Sequence, residues 1–330
     1  MTAPVVLTCG EPAGVGPELS FSAWQTLRHD MVFFLIADLA QVARVASGRP
    51  FKEITDPQEA AAAMAHGLPV LNHRFPELVT PGQPMLENAP DVINVIRRGV
   101  DMVDCGKASA ICTNPIHKKI LKDGADFPFP GHTEFLAHLA GSERSVMMMT
   151  APGLRVVPVT IHVPLSQVVD TLTPALLEET IRTVHEALVR DFGIENPRIT
   201  VAGLNPHSGE GGTMGKEEKT LIGPVLHRLR ADGHSIIGPL PSDTIFHAEA
   251  RARYDVAICM YHDQALIPLK AIDFHGGVNV TLGLHFVRTS PDHGTALDIA
   301  GKGVANPSSL IAALRQAHEM SRAQHEAKSG

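Results

Sequence analysis

The sequence predicts an α/β protein with one long, mostly parallel sheet shared by two lobes in a three-layer α/β/α arrangement. Three observations carry this. Short β-rich runs alternate with amphipathic helical patterns from one end of the chain to the other, as strands joined by crossover helices do. At 330 residues the chain exceeds the usual size of one hydrophobic core. Hydrophobic residues make up 44% and charged residues 19%, with Gly and Pro scattered, so there is core material for two lobes and no low-complexity tract.

In chain order the predicted strands are "PVVLT" (4–8), "MVFFLIA" (31–37), "ASAICT" (108–113), "SVMMMT" (145–150), "LRVVPVTIHV" (154–163), "RITVAGL" (198–204), "YDVAICMY" (254–261) and "VNVTL" (278–282). Pro17, after "GEPAGVG", suits the first turn of a helix, and Glu18 complements its dipole. Leu177, Ile181, Val184 and Leu188 recur at helical spacing, as do Leu221, Val225 and Leu229, then Leu310, Ala313, Leu314 and Ala317. No linker separates two halves. The expected division is residues 1–130 plus 291–330 for the first lobe and 131–290 for the second, the C-terminal helices returning to the first. Gly10, Gly14 and Gly16 do not spell G-x-G-x-x-G, so "CGEPAGVGPE" reads as a tight strand-to-helix turn and no Rossmann fingerprint is present.

A net charge of −7, with no stripe of Lys and Arg, excludes a nucleic-acid footprint. No run approaches the ~20 apolar residues of a membrane span, and "MTAPVVLTCGEPAG" lacks a basic leader, so a cytoplasmic protein is expected. Cys9, Cys105, Cys112 and Cys259 form no CxxC pair; reduced thiols are expected.

Most of the 18 histidines, His29, His185, His227 and His318 among them, fall on helical positions expected to be solvated. Three differ. His162 closes "RVVPVTIH", His207 follows "RITVAGLNP", and His262 follows "YDVAICMY", each at or just past the carboxyl end of a predicted strand. That edge is where open α/β sheets bind ligands. Their spacing fits no local zinc motif, so only the fold could gather them. Each reads either as a histidine hydrogen-bonded at a strand end or as a ligand, and three neutral imidazoles with open positions would suit a catalytic metal.

Further polar groups cluster on nearby turns. "FPGHTEF" offers His132 and Thr133, the latter a candidate helix cap, and "GPLPSDT" offers Asp243. Lys270, Asn279, Arg288, Asp292 and His293 follow within a short span. An amide inside an apolar strand, then an Arg, calls for partners that an anionic ligand would supply.

The blocks "GEPAGVGPEL", "TNPIHKKIL", "GHTEFLA", "LNPHSGEGGTMGKEE", "GPLPSDT", "MYHDQALIPLK" and "RTSPDHGTALDIAGKG" occur in order over nearly the whole chain. Together they resemble the 4-hydroxythreonine-4-phosphate dehydrogenase (PdxA) family of vitamin B6 biosynthesis. The resemblance implies a fold like isocitrate and isopropylmalate dehydrogenases, a homodimer with its active site at the subunit interface, and NAD or NADP as cofactor with no nucleotide-contacting residues specified. It puts a divalent metal (zinc, magnesium or cobalt) on His162, His207 and His262, with metal ligands and dimer contacts in the second lobe. Substrate contacts fall on His132, Thr133, Lys270, Asn279 and Arg288, and supporting or catalytic carboxylates on Asp243 and Asp263. The implied substrate is 4-phosphooxy-L-threonine. Relatives acting on 4-phospho-threonate or erythronate, or on a carboxylated cis-dihydrodiol, share these motifs; a non-redox metal- and phosphate-binding protein is the more distant reading. His285 stands where many members carry Pro.

Overall fold

The computed structural model describes residues 3–329. It divides the chain into two compact units, residues 1–145 with 284–330 and residues 146–283. In order, the first unit contributes β1 (Val5–Thr8), α1 (Gly16–Leu27), β2 (Phe33–Ala37), α2 (Leu39–Val45), β3 (Phe51–Ile54), α3 (Ala60–Met64), β4 (Leu68–Asn72), α4 (Ala89–Asp104), β5 (Ala110–Thr113), α5 (Lys118–Ala125) and α6 (His132–Leu139). The second contributes β6 (Val146–Ala151), β7 (Leu154–Thr160), α7 (Val168–Thr171), α8 (Pro174–Phe192), β8 (Ile199–Ala202), α9 (Gly223–Ala231), β9 (Ile236–Leu240), α10 (Ala248–Arg251), β10 (Val256–Tyr261), α11 (His262–Ile272) and β11 (Val278–Leu282). The chain then returns to the first unit as β12 (Arg288–Pro291) and α12 (Ser308–Ser329).

The first unit's strands lie in the order β3-β4-β2-β1-β5-β12, and every pair is parallel. Residues of β1, β2 and β5 are buried at every position, the pattern of a parallel sheet covered on both faces. Lys52 and Glu53 are exposed on β3, whose charges blunt the sheet edge. In the second unit the order is β11-β6-β7-β10-β8-β9; β11, β6 and β7 pair antiparallel, while β7, β10, β8 and β9 run parallel. The apolar stripe of α8, Leu177, Ile181, Val184 and Leu188, is fully buried, as is that of α12 through Leu310, Ala313, Leu314 and Ala317.

Some sequence expectations shift. The expected boundary at 130/131 and 290/291 moves, because α6 and β12 pack with the first unit; His132, Thr133 and Arg288 therefore belong to it. Leu221 lies before α9 and is only half-buried, its neighbour Ile222 taking the core place. His185 is not solvated but half-buried, its ring edge-on to His234 at 4.4 Å. Four strands, β3, β4, β9 and β12, escaped sequence patterning. Cys9, Cys112 and Cys259 are buried and Cys105 is exposed, all four as free thiols. No helix among the described residues is long and apolar enough to cross a membrane.

Candidate active site

In the second unit the parallel strands β7, β10 and β8 are neighbours, so their carboxyl ends reach one edge of the sheet. A histidine follows each. His162 lies just past Thr160, His262 opens α11 directly after Tyr261, and His207 lies in the loop beyond β8. The rings of His162 and His262 stand 5.9 Å apart between centroids. They line a recess of about 230 Å³ together with Thr160, Leu165, Tyr261 and Asp263.

Asp263 fixes the chemistry of one ring. Its Oδ1 lies 2.7 Å from His262 Nδ1. In the neutral ring a carboxylate there accepts a hydrogen bond from Nδ1–H, which leaves the Nε2 lone pair free, the tautomer a metal ligand needs. Two imidazoles and one supporting carboxylate thus suit a divalent cation by donor type.

The His207 loop differs in its backbone. His207 (φ 51°), Ser208 (φ 52°), Gly209 (φ 76°), Glu210 (φ 37°) and Gly211 (φ 69°) are all left-handed. Each non-glycine residue there costs on the order of 1–2 kcal/mol. A Cβ on Gly209 would sit 2.5 Å from Glu218 Oε2, so this position has room only for glycine. Gly203 to Pro206 separate His207 from the end of β8, and His207 is not among the side chains that line the recess of His162 and His262. Among the described residues no group of three or more His, Cys, Asp or Glu side chains is arranged to hold a metal ion.

The other predicted residues of this unit are spread along it. Lys270, near the end of α11, carries its Nζ 5.3 Å from the centre of the Phe274 ring. Asn279, in β11, has its Oδ1 buried without a hydrogen-bond partner among the described residues. Asp243 is exposed on a short turn after β9.

In the first unit, Arg288 opens β12 and is buried, 2% exposed, with Nη2 donating to Thr113 Oγ1 at 2.8 Å. Burial pushes its pKa down to about 10, while Cys112 and Glu134 act the other way, so it remains a cation at neutral pH. His132 opens α6. Burial first, then the charges of Arg288 and Lys118, hold its pKa well below the usual histidine value. Its Nε2 is enclosed without a hydrogen-bond partner among the described residues. A buried cation beside a neutral imidazole is a setting for an anionic group. Thr133 does not cap α6, because Gly131 occupies the cap position and Thr133 lies within the first turn. His285 points elsewhere: its Nε2 is 2.7 Å from Asp104 Oδ1, beside a cavity lined by Ala3 and Ser109, at the amino edge of the sheet.

The family model for the pyridoxal phosphate biosynthetic protein PdxA matches residues 29–317. The chain belongs to the PdxA family. A 4-hydroxythreonine-4-phosphate dehydrogenase of Paracoccus denitrificans is 56% identical over 321 residues, covering 96% of this chain and 97% of that protein. The crystal structure of a 4-hydroxythreonine-4-phosphate dehydrogenase from Klebsiella pneumoniae superposes with a TM-score of 0.89 at 33% identity, over 97% of this chain and 100% of the other. A terephthalate 1,2-cis-dihydrodiol dehydrogenase from Burkholderia xenovorans follows with a TM-score of 0.69 at 26% identity, covering 97% and 98%.

Sequence reading of this PdxA member passed over the side chains that hold the histidine loops. Thr160, Gln264 and Glu218 are each tied by hydrogen bonds to a backbone group near a histidine, and the Asn205 amide donates to the carboxylates of Glu217 and Glu218. Glu218 and Gln264 are charged or polar yet buried, and the only sequence signal that could have found them is their place in the same motif blocks as His207 and His262.

Proposed function

We propose that this protein acts as a 4-hydroxythreonine-4-phosphate dehydrogenase. In this reading the C3 hydroxyl of 4-phosphooxy-L-threonine is oxidised to a ketone, hydride passing from carbon to NAD or NADP and the hydroxyl proton to a base. The 2-amino-3-oxo acid then loses carbon dioxide to give 3-amino-2-oxopropyl phosphate, a step of pyridoxal phosphate biosynthesis. The observation that supports it most is near-full-length similarity to dehydrogenases of that name.

His162 and His262 would hold a divalent cation (zinc, magnesium or cobalt), with His207 as third ligand and Asp263 fixing the His262 tautomer. Such a cation, when bound, supplies Lewis acidity that eases loss of the hydroxyl proton, by up to roughly 12 kcal/mol if alcohols follow water, against about 1.5–3 kcal/mol for one charge-assisted hydrogen bond. Arg288 takes an anionic group of the substrate, and neutral His132, with Thr133, adds hydrogen bonds without adding charge. Lys270 meets a second anionic group, and a substrate donor reaches the Asn279 Oδ1, which has no partner among the described residues. Asp243, Lys270 or a water takes the hydroxyl proton. The protein works as a cytoplasmic homodimer in this reading.

The test is NADH formation with 4-phosphooxy-L-threonine, with and without a chelator. Turnover that the chelator abolishes is expected. Turnover only with 4-phospho-threonate, erythronate or a carboxylated cis-dihydrodiol would replace the substrate, and phosphate binding without any redox turnover would replace the enzyme class.

A further inference from the structure

Buried side chains tie the three histidine-bearing strand ends to one another. Thr160 Oγ1, closing β7, donates to Met260 O in β10 at 2.8 Å. Gln264, in the first turns of α11 and 7% exposed, works in two directions. Its Oε1 accepts from Met260 N at 2.6 Å, and its Nε2 donates to Gly203 O, just past β8, at 2.8 Å. One amide therefore joins the strand leading to His262 to the strand leading to His207. Beyond Gly203, Asn205 donates from its backbone N to Glu218 Oε1 at 2.7 Å and from Nδ2 to Glu218 Oε2 at 3.0 Å, which closes the left-handed loop on itself.

We propose that Gln264 is a positioning residue: its amide sets the separation of the His262 and His207 strand ends, and Glu218 locks the loop that carries His207. This rests on the metal reading of the site. The chemistry selects glutamine over its neighbours in size. Spanning the two strands takes an acceptor for an N–H and a donor for a C=O on one rigid planar group; a carboxylate of the same shape would face the Gly203 oxygen with its own. The left-handed loop is also the costliest backbone in this unit, so a brace at its root and another at its end are what keep a strained ligand loop in one conformation.

Gln41 provides the control. In the first unit it is buried and bridges Val79 in the same way, donating to Val79 O at 3.2 Å and accepting from Val79 N at 3.1 Å, with no tie to any histidine loop. Cobalt(II) added to the metal-free protein reports ligation through its visible absorption, and thermal melting reports stability. Gln264→Glu should weaken cobalt binding roughly 10–100-fold and change the absorption band, the range seen when outer partners of metal ligands are lost. Gln41→Glu should lower the melting temperature comparably and leave cobalt affinity unchanged. Glu218→Gln, which keeps an acceptor for Asn205 N, should give a smaller loss of affinity, and decides the matter if Gln264→Glu fails to fold. Wild-type cobalt affinity in both Gln264→Glu and Glu218→Gln, or equal losses in Gln264→Glu and Gln41→Glu, would overturn the proposal. If wild type binds no cobalt, or His207→Ala binds as wild type does, the metal reading itself falls and takes the proposal with it.

Discussion

The carboxyl ends of the strands in the two units set their polar side chains by opposite means. Around β5 and β12 of the first unit the device is desolvation: Arg288 and His132 are enclosed, and burial is the largest influence on both their pKa values. Around β7, β10 and β8 of the second unit it is backbone geometry: His162 and His207 stand in left-handed conformations, and His262 is oriented by Asp263. Enclosure tunes a proton affinity, whereas a strained backbone aims a ring. A mutation should therefore announce its region by what it changes, pH dependence or affinity for the first, ligation for the second.

The largest effect is expected at the backbone-aimed edge. His207→Ala should lose bound metal by elemental analysis and drop NADH formation by at least about 10³-fold, given the several kcal/mol a Lewis acid supplies. At the enclosed edge, Arg288→Met should raise KM for the phosphorylated substrate roughly 10–100-fold. It should nonetheless leave the melting temperature unchanged or higher, since an apolar side chain replaces a desolvated cation. Asp263→Asn should keep the fold and weaken metal binding about 10–100-fold, which equilibrium dialysis would read.

A smaller effect tests enclosure by pH. The folded pKa of His132 lies well below that of the unfolded chain, so below about pH 6.5 the unfolded state binds the extra proton. Stability from keeping this ring neutral is present above that pH and falls away beneath it, by at most about 1.4 kcal/mol per pH unit. Denaturant titrations of His132→Asn between pH 5 and 6.5 should show a shallower loss than wild type. The smallest effect separates strain from crowding. Gly153 and Gly209 share a left-handed φ of 73° and 76°, but only Gly209 has an atom, Glu218 Oε2, where a Cβ would go. Gly153→Ala should cost about 1 kcal/mol in chemical denaturation, and Gly209→Ala more, with weaker metal binding added.

Sequence patterning reached the apolar parallel strands because sheets covered on both faces need unbroken runs such as "VVLT" and "FFLIA". It failed on four strands for physical reasons. Residues 51–54 hold two exposed charges at a sheet edge, 68–72 and 236–240 contain Pro, and 288–291, "RTSP", is polar although every residue is buried. The strand-end rule singled out His162, His207 and His262, of which the rings of His162 and His262 stand side by side, but burial of Arg288 and the braces of Gln264 and Glu218 depend on residues far away in the chain. The roles proposed for His132, Lys270 and Asn279 rest on family motifs and not on periodicity.

The cysteines carry a practical consequence. Enclosure pushes the Cys112 thiol up to about 12 and those of Cys9 and Cys259 upward as well, so alkylating reagents meet almost no thiolate at these three. Cys105, exposed at the end of α4, is the one that maleimides should modify in the native state, giving a single-position dye attachment without prior cysteine removal.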